Sequence, residues 1–230
     1  MPQEWISIDA ADGGRYDAYL ALPPAGRGPG LLLLQEIFGV NRHIRAVAEQ
    51  YALDGFVVLA PDVFWREAPR VELGYVGAER ERAMQLLAAA DRAKLAADLA
   101  TSVAALRARP ECSGRAGAFG YCMGGRLAYL AAATAGIDAA SCFYGGGIQD
   151  QLEHAPRIAC PIQFHYGARD AHIPMAAVEK VKDAMAGLAA EVHVYDAEHG
   201  FNCWERASYH APSAALAHAR TLELFARTLF

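Results

Sequence analysis

Short apolar runs alternate along the chain with longer segments in which apolar and polar residues are mixed. The runs at 31–34 and 56–60 are continuous, which is typical of strands buried on both faces of a sheet. The segment 42–53 between them predicts a helix that ends at Asp54-Gly55. This alternation predicts an α/β fold with a mostly parallel central sheet and helices on both faces.

The same pattern continues on both sides of this first unit. Residues 16–20 alternate like an early strand, and the mixed charges, glycines and proline of 64–77 predict a loop over the functional face of the sheet. Further strands are expected near 116–119, 139–144, 161–166 and 190–195, and helices near 78–109 with a break at Asp91, 123–135, 175–188 and 212–228.

Composition excludes several kinds of partner. A length of 230 residues suits one domain, 1–230, with a full core. The net charge is −5 without a block of lysine or arginine, so the basic footprint of a nucleic-acid-binding protein is absent. No apolar run approaches the roughly 20 residues of a membrane span, and the first residues lack a signal-peptide pattern. Five scattered cysteines do not suggest a disulfide framework, and the expected location is cytoplasmic.

The most informative motif is GYCMGG at 120–125, between an apolar run and a helix-forming run. A strand, a glycine turn and a helix in this order predict a nucleophile elbow, with Cys122 at the strained central position. The helix that follows would point its positive N-terminus at the reacting centre. The alternative is a buried core cysteine, the default for free cysteines, and the elbow position favours the nucleophile.

Two further residues complete the chain order of a catalytic triad. Asp170 comes 48 residues after Cys122, and His199 comes 29 residues after Asp170. Each follows a predicted strand, where a doubly wound sheet places its ligand site, and the order nucleophile, acid, histidine is that of α/β-hydrolases. The alternatives are a surface histidine and an aspartate that caps the helix near Pro174.

The chain resembles the dienelactone hydrolases (carboxymethylenebutenolidases) over nearly its whole length. The matching segments are QEIFGVN at 35–41, APD at 60–62, GYCMGG at 120–125, YGGG at 144–147, GARD at 167–170 and HGF at 199–201. The first and third of these are specific to the family. The resemblance implies the α/β-hydrolase fold and a Cys122–His199–Asp170 triad that hydrolyses an enol lactone.

The resemblance also assigns residues around the nucleophile. Glu36 is unusual because its carboxylate stands between apolar residues, where a charge is costly. In the family the matching glutamate contacts the nucleophilic thiol and takes its proton when substrate arrives; the alternative is a salt-bridged loop carboxylate. The backbone N–H groups of Ile37 and Met123 are expected to form the oxyanion hole.

Substrate-binding residues are expected in three segments. Arg80 matches a family arginine that pairs with the substrate carboxylate, a role suited to a guanidinium group. It lies in a run of charges with Arg82, so a solvated helix charge is the alternative. Tyr144 matches a residue that lines the substrate pocket, and a plain core tyrosine is an equal alternative. Phe38, within QEIFGVN, is also expected to bind substrate.

One departure from the family pattern concerns the second carboxylate-binding arginine, four residues after the histidine. Cys203 occupies that position here, and Arg206 comes three residues later. Either Arg206 reaches back over the turn at 200–202, or it is a solvated residue paired with Glu205 or Glu198. We favour the second interpretation, which predicts weaker binding of an acidic lactone and broader tolerance of neutral esters.

The sequence therefore predicts a hydrolase that opens a small enol lactone through a cysteine acyl-enzyme, giving maleylacetate in aromatic degradation. One alternative is a broader carboxylesterase or thioesterase for small acidic esters, and another is a non-catalytic thiol protein that binds a carboxylate or senses oxidants. No cofactor is expected, and His193, His199 and Cys203 match no zinc-site spacing. The expected partner is a small lactone or ester, with no nucleic acid or membrane, and the chain is expected to be a monomer or a small homo-oligomer.

Overall fold

The computed structural model describes residues 3–230, and eight strands form one mixed sheet. In chain order the strands are β1 (Gln3–Asp9), β2 (Arg15–Ala21), β3 (Gly28–Leu34), β4 (Val57–Pro61), β5 (Cys112–Tyr121), β6 (Ala139–Phe143), β7 (Ile162–Gly167) and β8 (Ala190–Tyr195). Their order across the sheet is β1-β2-β4-β3-β5-β6-β7-β8. The pairs β1–β2 and β2–β4 are antiparallel, and the other pairs are parallel. The predicted α/β fold with a mostly parallel sheet is confirmed.

Residues 3–230 form six α-helices, of which five lie between strands and the sixth follows β8. They are α1 (Arg42–Leu53), α2 (Gly77–Ala89), α3 (Arg92–Arg107), α4 (Met123–Thr134), α5 (Met175–Ala184) and α6 (Ala211–Leu229), and short 3₁₀ helices cover Ile148–Asp150 and Leu152–Arg157. The predicted break at Asp91 is confirmed, because its side chain accepts hydrogen bonds from the amides of Ala93 and Lys94 and caps α3. Helix α5 ends at Ala184, earlier than the predicted residue 188. Gly187, with φ +85°, turns the chain beyond it.

Helices cover both faces of the sheet. All seven residues of β3 are buried, as its continuous apolar run predicts. Gly30 on this strand faces Leu106 of α3, whereas Gly117 on the neighbouring strand faces Leu229 of α6. Gly117 pairs with Leu31, so these two residues point to the same face of the sheet. Gly30 precedes Leu31 and points to the other face, so the two contacts lie on opposite faces. Within residues 3–230 no helix is long and apolar enough to cross a membrane.

The ends of the parallel strands carry the candidate residues. Glu36 follows β3, Cys122 follows β5, Tyr144 follows β6 and Asp170 follows β7. His199 lies four residues beyond β8. Carboxyl ends of parallel strands meet at one edge of a sheet, so the fold itself brings these distant residues together.

Candidate active site

The turn after β5 has the geometry of a nucleophile elbow. Cys122 adopts φ 56° and ψ −114°, a backbone conformation that residues other than glycine rarely adopt. A hydrogen bond from its amide to the Phe143 carbonyl oxygen (3.0 Å) holds the turn against β6. A Cβ atom on Gly124 would lie 2.0 Å from the Leu34 carbonyl oxygen, so only glycine fits there. The turn leaves the Cys122 side chain half-buried at the N-terminus of α4.

Asp170 and His199 are directly bonded. The distance from His199 Nδ1 to Asp170 Oδ2 is 2.7 Å. The other carboxylate oxygen accepts hydrogen bonds from the amides of His172 (2.7 Å) and Ile173 (3.1 Å). Burial acts to raise the pKa of Asp170, but the hydrogen bond from His199 and those from the amides outweigh it and hold the pKa below its ordinary value. Asp170 therefore both caps its own turn and fixes the imidazole.

The imidazole of His199 is held on several sides. Burial acts to lower its pKa, but the interactions with Asp170 and with the Cys122 thiol outweigh burial and raise the pKa to about 10. The rings of Tyr144 and His172 pack against it, with centroids 5.0 and 5.1 Å away. An imidazole held in this way by a carboxylate can act as a general acid or base beside Cys122.

Two amide groups are available beside the thiol. The backbone N–H groups of Ile37 and Met123 donate no hydrogen bond to any group in residues 3–230. Both residues line the same cavity as Cys122. Met123 begins α4, so the positive end of the helix dipole adds to its N–H group. Together the two amides can bind an oxyanion that forms next to the thiol.

A cavity of about 230 Å³ lies above the elbow. Its lining is rich in basic and apolar side chains and comprises Ile37, Phe38, Arg80, Met84, Leu87, Cys122, Met123, Arg126, Gly146, His172, His199 and Arg206. None of these residues is acidic, although the whole chain carries a net charge of −5. Such a lining is suited to a small anionic ligand.

Glu36 is buried and paired with Arg206, not with the thiol. The guanidinium Nη1 donates to Oε1 of the carboxylate at 2.9 Å, and Oε2 has no hydrogen-bond partner among the described residues. Burial raises the pKa of Glu36 above its ordinary value, and the charge of Arg206 opposes this. The expectation that Arg206 pairs with Glu205 or Glu198 is wrong. Glu205 is instead bound by Arg42.

The loop after His199 explains how Arg206 reaches the site. Two successive turns are closed by hydrogen bonds from the Cys203 amide to the Gly200 carbonyl and from the Arg206 amide to the Cys203 carbonyl. The side chain of Arg206 passes over Gly200, where a Cβ would lie 2.5 Å from Nη1. The loop therefore returns Arg206 to the cavity, and Cys203 is left buried beneath it.

The remaining expected substrate residues divide into two groups. Arg80 on α2 and Phe38 both line the cavity, and the Arg80 side chain makes no ion pair within residues 3–230. Tyr144 is fully buried behind His199 and is not part of the lining. Its expected position in the substrate pocket is therefore not observed, and its ring packs edge to face against the His199 imidazole instead.

Comparison with known proteins agrees with this geometry. The sequence profile of the dienelactone hydrolase family matches residues 16–229. The chain belongs to this family. It is 37% identical to the carboxymethylenebutenolidase of Pseudomonas sp. (strain P51), covering 99% of this chain and 96% of the relative. The carboxymethylenebutenolidase of Pseudomonas putida is 34% identical, with 98% of this chain and 97% of the relative covered.

A solved structure is similar along the full length. It is that of a proposed dienelactone hydrolase from Klebsiella pneumoniae subsp. pneumoniae MGH 78578, with a TM-score of 0.88 and 32% identity over 98% of both chains. The chain described here is therefore an α/β-hydrolase that acts on ester or lactone bonds.

Among the polar side chains that line the cavity of this dienelactone hydrolase family member, two were not expected from the sequence. Arg126 and His172 both line the cavity. Arg126 comes four residues after Cys122 on α4, about one helical turn, so its spacing was a usable signal. Nothing comparable marks His172, which enters the site because the Asp170 turn folds it against His199.

The other four cysteines, unlike Cys122, are buried. They are Cys112, Cys142, Cys160 and Cys203, and all five are free thiols. Burial is the main cause that raises the pKa of Cys203 to about 12, and the charge of Glu36 adds to it. Among the described residues no group of three or more histidine, cysteine or acidic side chains is arranged to hold a metal ion. Cys122 is thus the thiol best placed to react.

Proposed function

We propose that the chain hydrolyses a small acidic enol lactone, with Cys122 as the nucleophile, His199 as the general acid and base, and Asp170 as the group that orients His199. The observation that carries the proposal is a half-buried thiol at an elbow, in the same cavity as an imidazole bonded to a buried carboxylate. The names of the curated relatives, carboxymethylenebutenolidases, support the lactone as the substrate class.

The reaction has two halves. The Cys122 thiolate attacks the lactone carbonyl carbon, and the carbonyl electrons move to oxygen, where the amides of Ile37 and Met123 bind the charge. Collapse breaks the ring C–O bond, and the leaving enol oxygen takes a proton from the His199 imidazolium. The neutral imidazole then removes a proton from water, whose oxygen attacks the thioester. The acid leaves, and the thiolate–imidazolium pair is restored.

The pair between Glu36 and Arg206 suggests how substrate participates. A substrate carboxylate that binds Arg206 competes with Glu36 for the guanidinium group. Glu36 is fully buried, so loss of this partner raises its pKa further and makes the carboxylate a base. In a molecule whose Cys122 is still a thiol, the unpartnered Oε2 can then take the thiol proton and pass it to the His199 imidazole, which increases the fraction of the thiolate–imidazolium pair when an acidic substrate is present.

Arg80 is the second proposed carboxylate ligand. Arg80→Met should raise KM for an acidic enol lactone by about tenfold or more, because a hydrogen bond to a charged group contributes that order of affinity. KM for neutral phenyl acetate should change little. Arg82→Met is the matched control, since Arg82 lies on the same helix and bonds Gln85 outside the cavity. Equal KM changes for both substrates would leave Arg80 with a structural role only.

The nucleophile is tested by labelling and substitution. Iodoacetamide at limiting concentration should give one dominant adduct, located at Cys122 by peptide mass spectrometry, together with loss of phenyl acetate hydrolysis. Cys122→Ala should lack activity, and Cys203→Ala should keep it. Turnover by Cys122→Ala would refute the mechanism. Hydrolysis of neutral esters without preference for the lactone would instead indicate the broader esterase, and ligand binding without turnover would indicate a thiol protein.

The proposal also includes the cellular location and the pathway of the enzyme. Five free thiols are most stable in a reducing compartment, so we place this enzyme, as one domain, in the cytoplasm. Genes for an intradiol dioxygenase and a maleylacetate reductase beside its own would support a role in aromatic degradation, and their absence would favour a different acidic ester.

A further inference from the structure

The cavity contains more positive charge than one substrate carboxylate requires. Three guanidinium groups line it, those of Arg80, Arg126 and Arg206. Arg206 is neutralised by Glu36, whereas Arg80 and Arg126 form no ion pair with any carboxylate in residues 3–230. Arg80 is exposed on α2 and loses little hydration there, but Arg126 is half-buried on α4. Of the three arginines, Arg126 is therefore the one whose charge is least neutralised by a carboxylate or by water.

The contacts of Arg126 leave most of its donors unused. Its Nη1 makes one long hydrogen bond, 3.4 Å, to the Gly146 carbonyl oxygen. A guanidinium has five N–H donors in a planar fork that fits a carboxylate. Burial, and then the charge of nearby Arg92, lower the pKa of Arg126, while the charge of Cys122 opposes this. A half-buried cation without a counter-ion is costly unless a ligand supplies one.

We propose that Arg126 binds a second carboxylate of the substrate, at a position separate from Arg80, so that the preferred substrate is a dianionic ester or lactone. This inference rests on the proposed function of Cys122, which lies one helical turn before Arg126 on α4. The two unpaired guanidinium groups belong to different helices, α2 and α4, so each can hold one end of an elongated dianion.

A groove that shares Arg126 with the reaction cavity gives room for such a substrate. It has a volume of about 410 Å³ and includes Arg92, Leu95, Leu127 and Leu130. Of the residues that the structure describes, Arg126 alone lines both the groove and the reaction cavity. The groove also contains acidic side chains, so the anionic group is assigned to Arg126 at its edge and not to the groove itself.

Four esters test this inference, combining acetate or glutarate with phenol or 3-hydroxybenzoate. They are neutral, acidic on the acyl group, acidic on the leaving group, and acidic on both. Arg126→Met should raise KM for the doubly acidic ester by about tenfold or more, with kcat retained. KM for phenyl acetate should rise by a much smaller factor, so the KM ratio of the doubly acidic to the neutral ester should increase. The two singly acidic esters show which carboxylate Arg126 binds.

Arg82→Met is the matched control, because Arg82 is an exposed arginine that lines neither the cavity nor the groove. It should leave the KM ratio of acidic to neutral esters unchanged. Equal KM increases for neutral and doubly acidic esters in Arg126→Met, or no increase for the latter, would overturn the inference. A thermal melt of Arg126→Met identifies any loss of folding.

A binding measurement separates this inference from the catalytic proposal. Calorimetric titration compares dicarboxylates of four to seven carbons with monocarboxylates of the same length. Wild type should bind at least one dicarboxylate about tenfold tighter than its monocarboxylate, and Arg126→Met should lose this preference. An unchanged preference in Arg126→Met would refute the role of Arg126 even in a fully active enzyme. Loss of the preference would support it even if no ester were hydrolysed.

Discussion

The Arg206 guanidinium donates a 2.9 Å hydrogen bond to the buried Glu36 carboxylate, which lies 170 residues earlier in the chain. The pair joins the loop after His199 to the loop after β3. The Glu36 side chain is 2% exposed and that of Arg206 is 21% exposed, so water replaces little of this interaction. The ion pair therefore stabilises the charged forms of both Glu36 and Arg206 and fixes the two loops relative to each other.

Arg206→Met should destabilise the protein by several kcal/mol, up to about 3–5 kcal/mol, because it leaves a buried carboxylate without its partner. Glu36→Gln/Arg206→Met should be less destabilised than the sum of the two single variants, and urea denaturation measures this coupling. Arg227→Met is a control, since its pair with Glu191 is exposed and contributes about 0–1 kcal/mol. Additive effects in the double variant would contradict coupling between Glu36 and Arg206.

The position of the Arg206 side chain could not be predicted from the sequence. The contact between Asp170 and His199 could be predicted because each follows a strand, and strand ends converge at one edge of the sheet. Arg206 depends instead on two consecutive turns and on a glycine over which its side chain passes. A spacing of seven residues after His199 does not reveal that the loop returns Arg206 to the cavity. The sequence alone therefore favours an ion pair with a neighbouring glutamate.

The parallel part of the sheet could be predicted, but the antiparallel edge strand β1 could not. Strands such as β3 are buried on both faces and stand out as apolar runs. Strand β1 is mostly exposed, and its order within the sheet is fixed by antiparallel pairing with β2. An exposed edge strand needs little hydrophobic sequence, which is why the pattern did not indicate it.

The elbow gives a prediction about stability. Gly124→Ala places a Cβ 2.0 Å from the Leu34 carbonyl oxygen and 2.6 Å from that of Gln35, and backbone atoms cannot move aside cheaply. A loss of about 1–3 kcal/mol or more in unfolding free energy is expected. Gly146→Ala is the control, because its Cβ would meet side-chain atoms of Ile173 at 3.7 Å, an ordinary contact. Equal stability of the two variants would show that the turn can relax.

Asp170→Asn tests the orientation of the imidazole. The carboxylate accepts the Nδ1–H of His199 at 2.7 Å, and an amide favours the wrong tautomer. A decrease in kcat of about 10²–10⁴-fold is expected, with the fold retained. Asp196→Asn is the control, since its side chain is 82% exposed and pairs with Arg169 away from the cavity. A kcat for Asp170→Asn within tenfold of wild type would remove Asp170 from the mechanism.

The charge of His199 makes stability depend on pH. Its pKa in the folded protein is about 10, because the interactions with Asp170 and Cys122 outweigh burial, whereas the unfolded chain has a value near 6.5. The folded state therefore binds this proton more tightly. The resulting stabilisation is fully present below about pH 6.5 and is lost as the pH rises through about 10.

Replacement of the imidazole isolates this contribution, because other groups that titrate at high pH are shared by wild type and variant. The difference in unfolding free energy between wild type and His199→Gln should be greatest near pH 6 and should decrease steadily towards pH 10. Urea denaturation at one-unit intervals measures it. His218→Gln is the control, since burial is the main cause that lowers the pKa of His218, so its contribution to stability should not decrease as the pH rises. A difference for His199→Gln that stays constant, or grows with pH, would mean that His199 is neutral in the folded enzyme and that the resting nucleophile is a thiol.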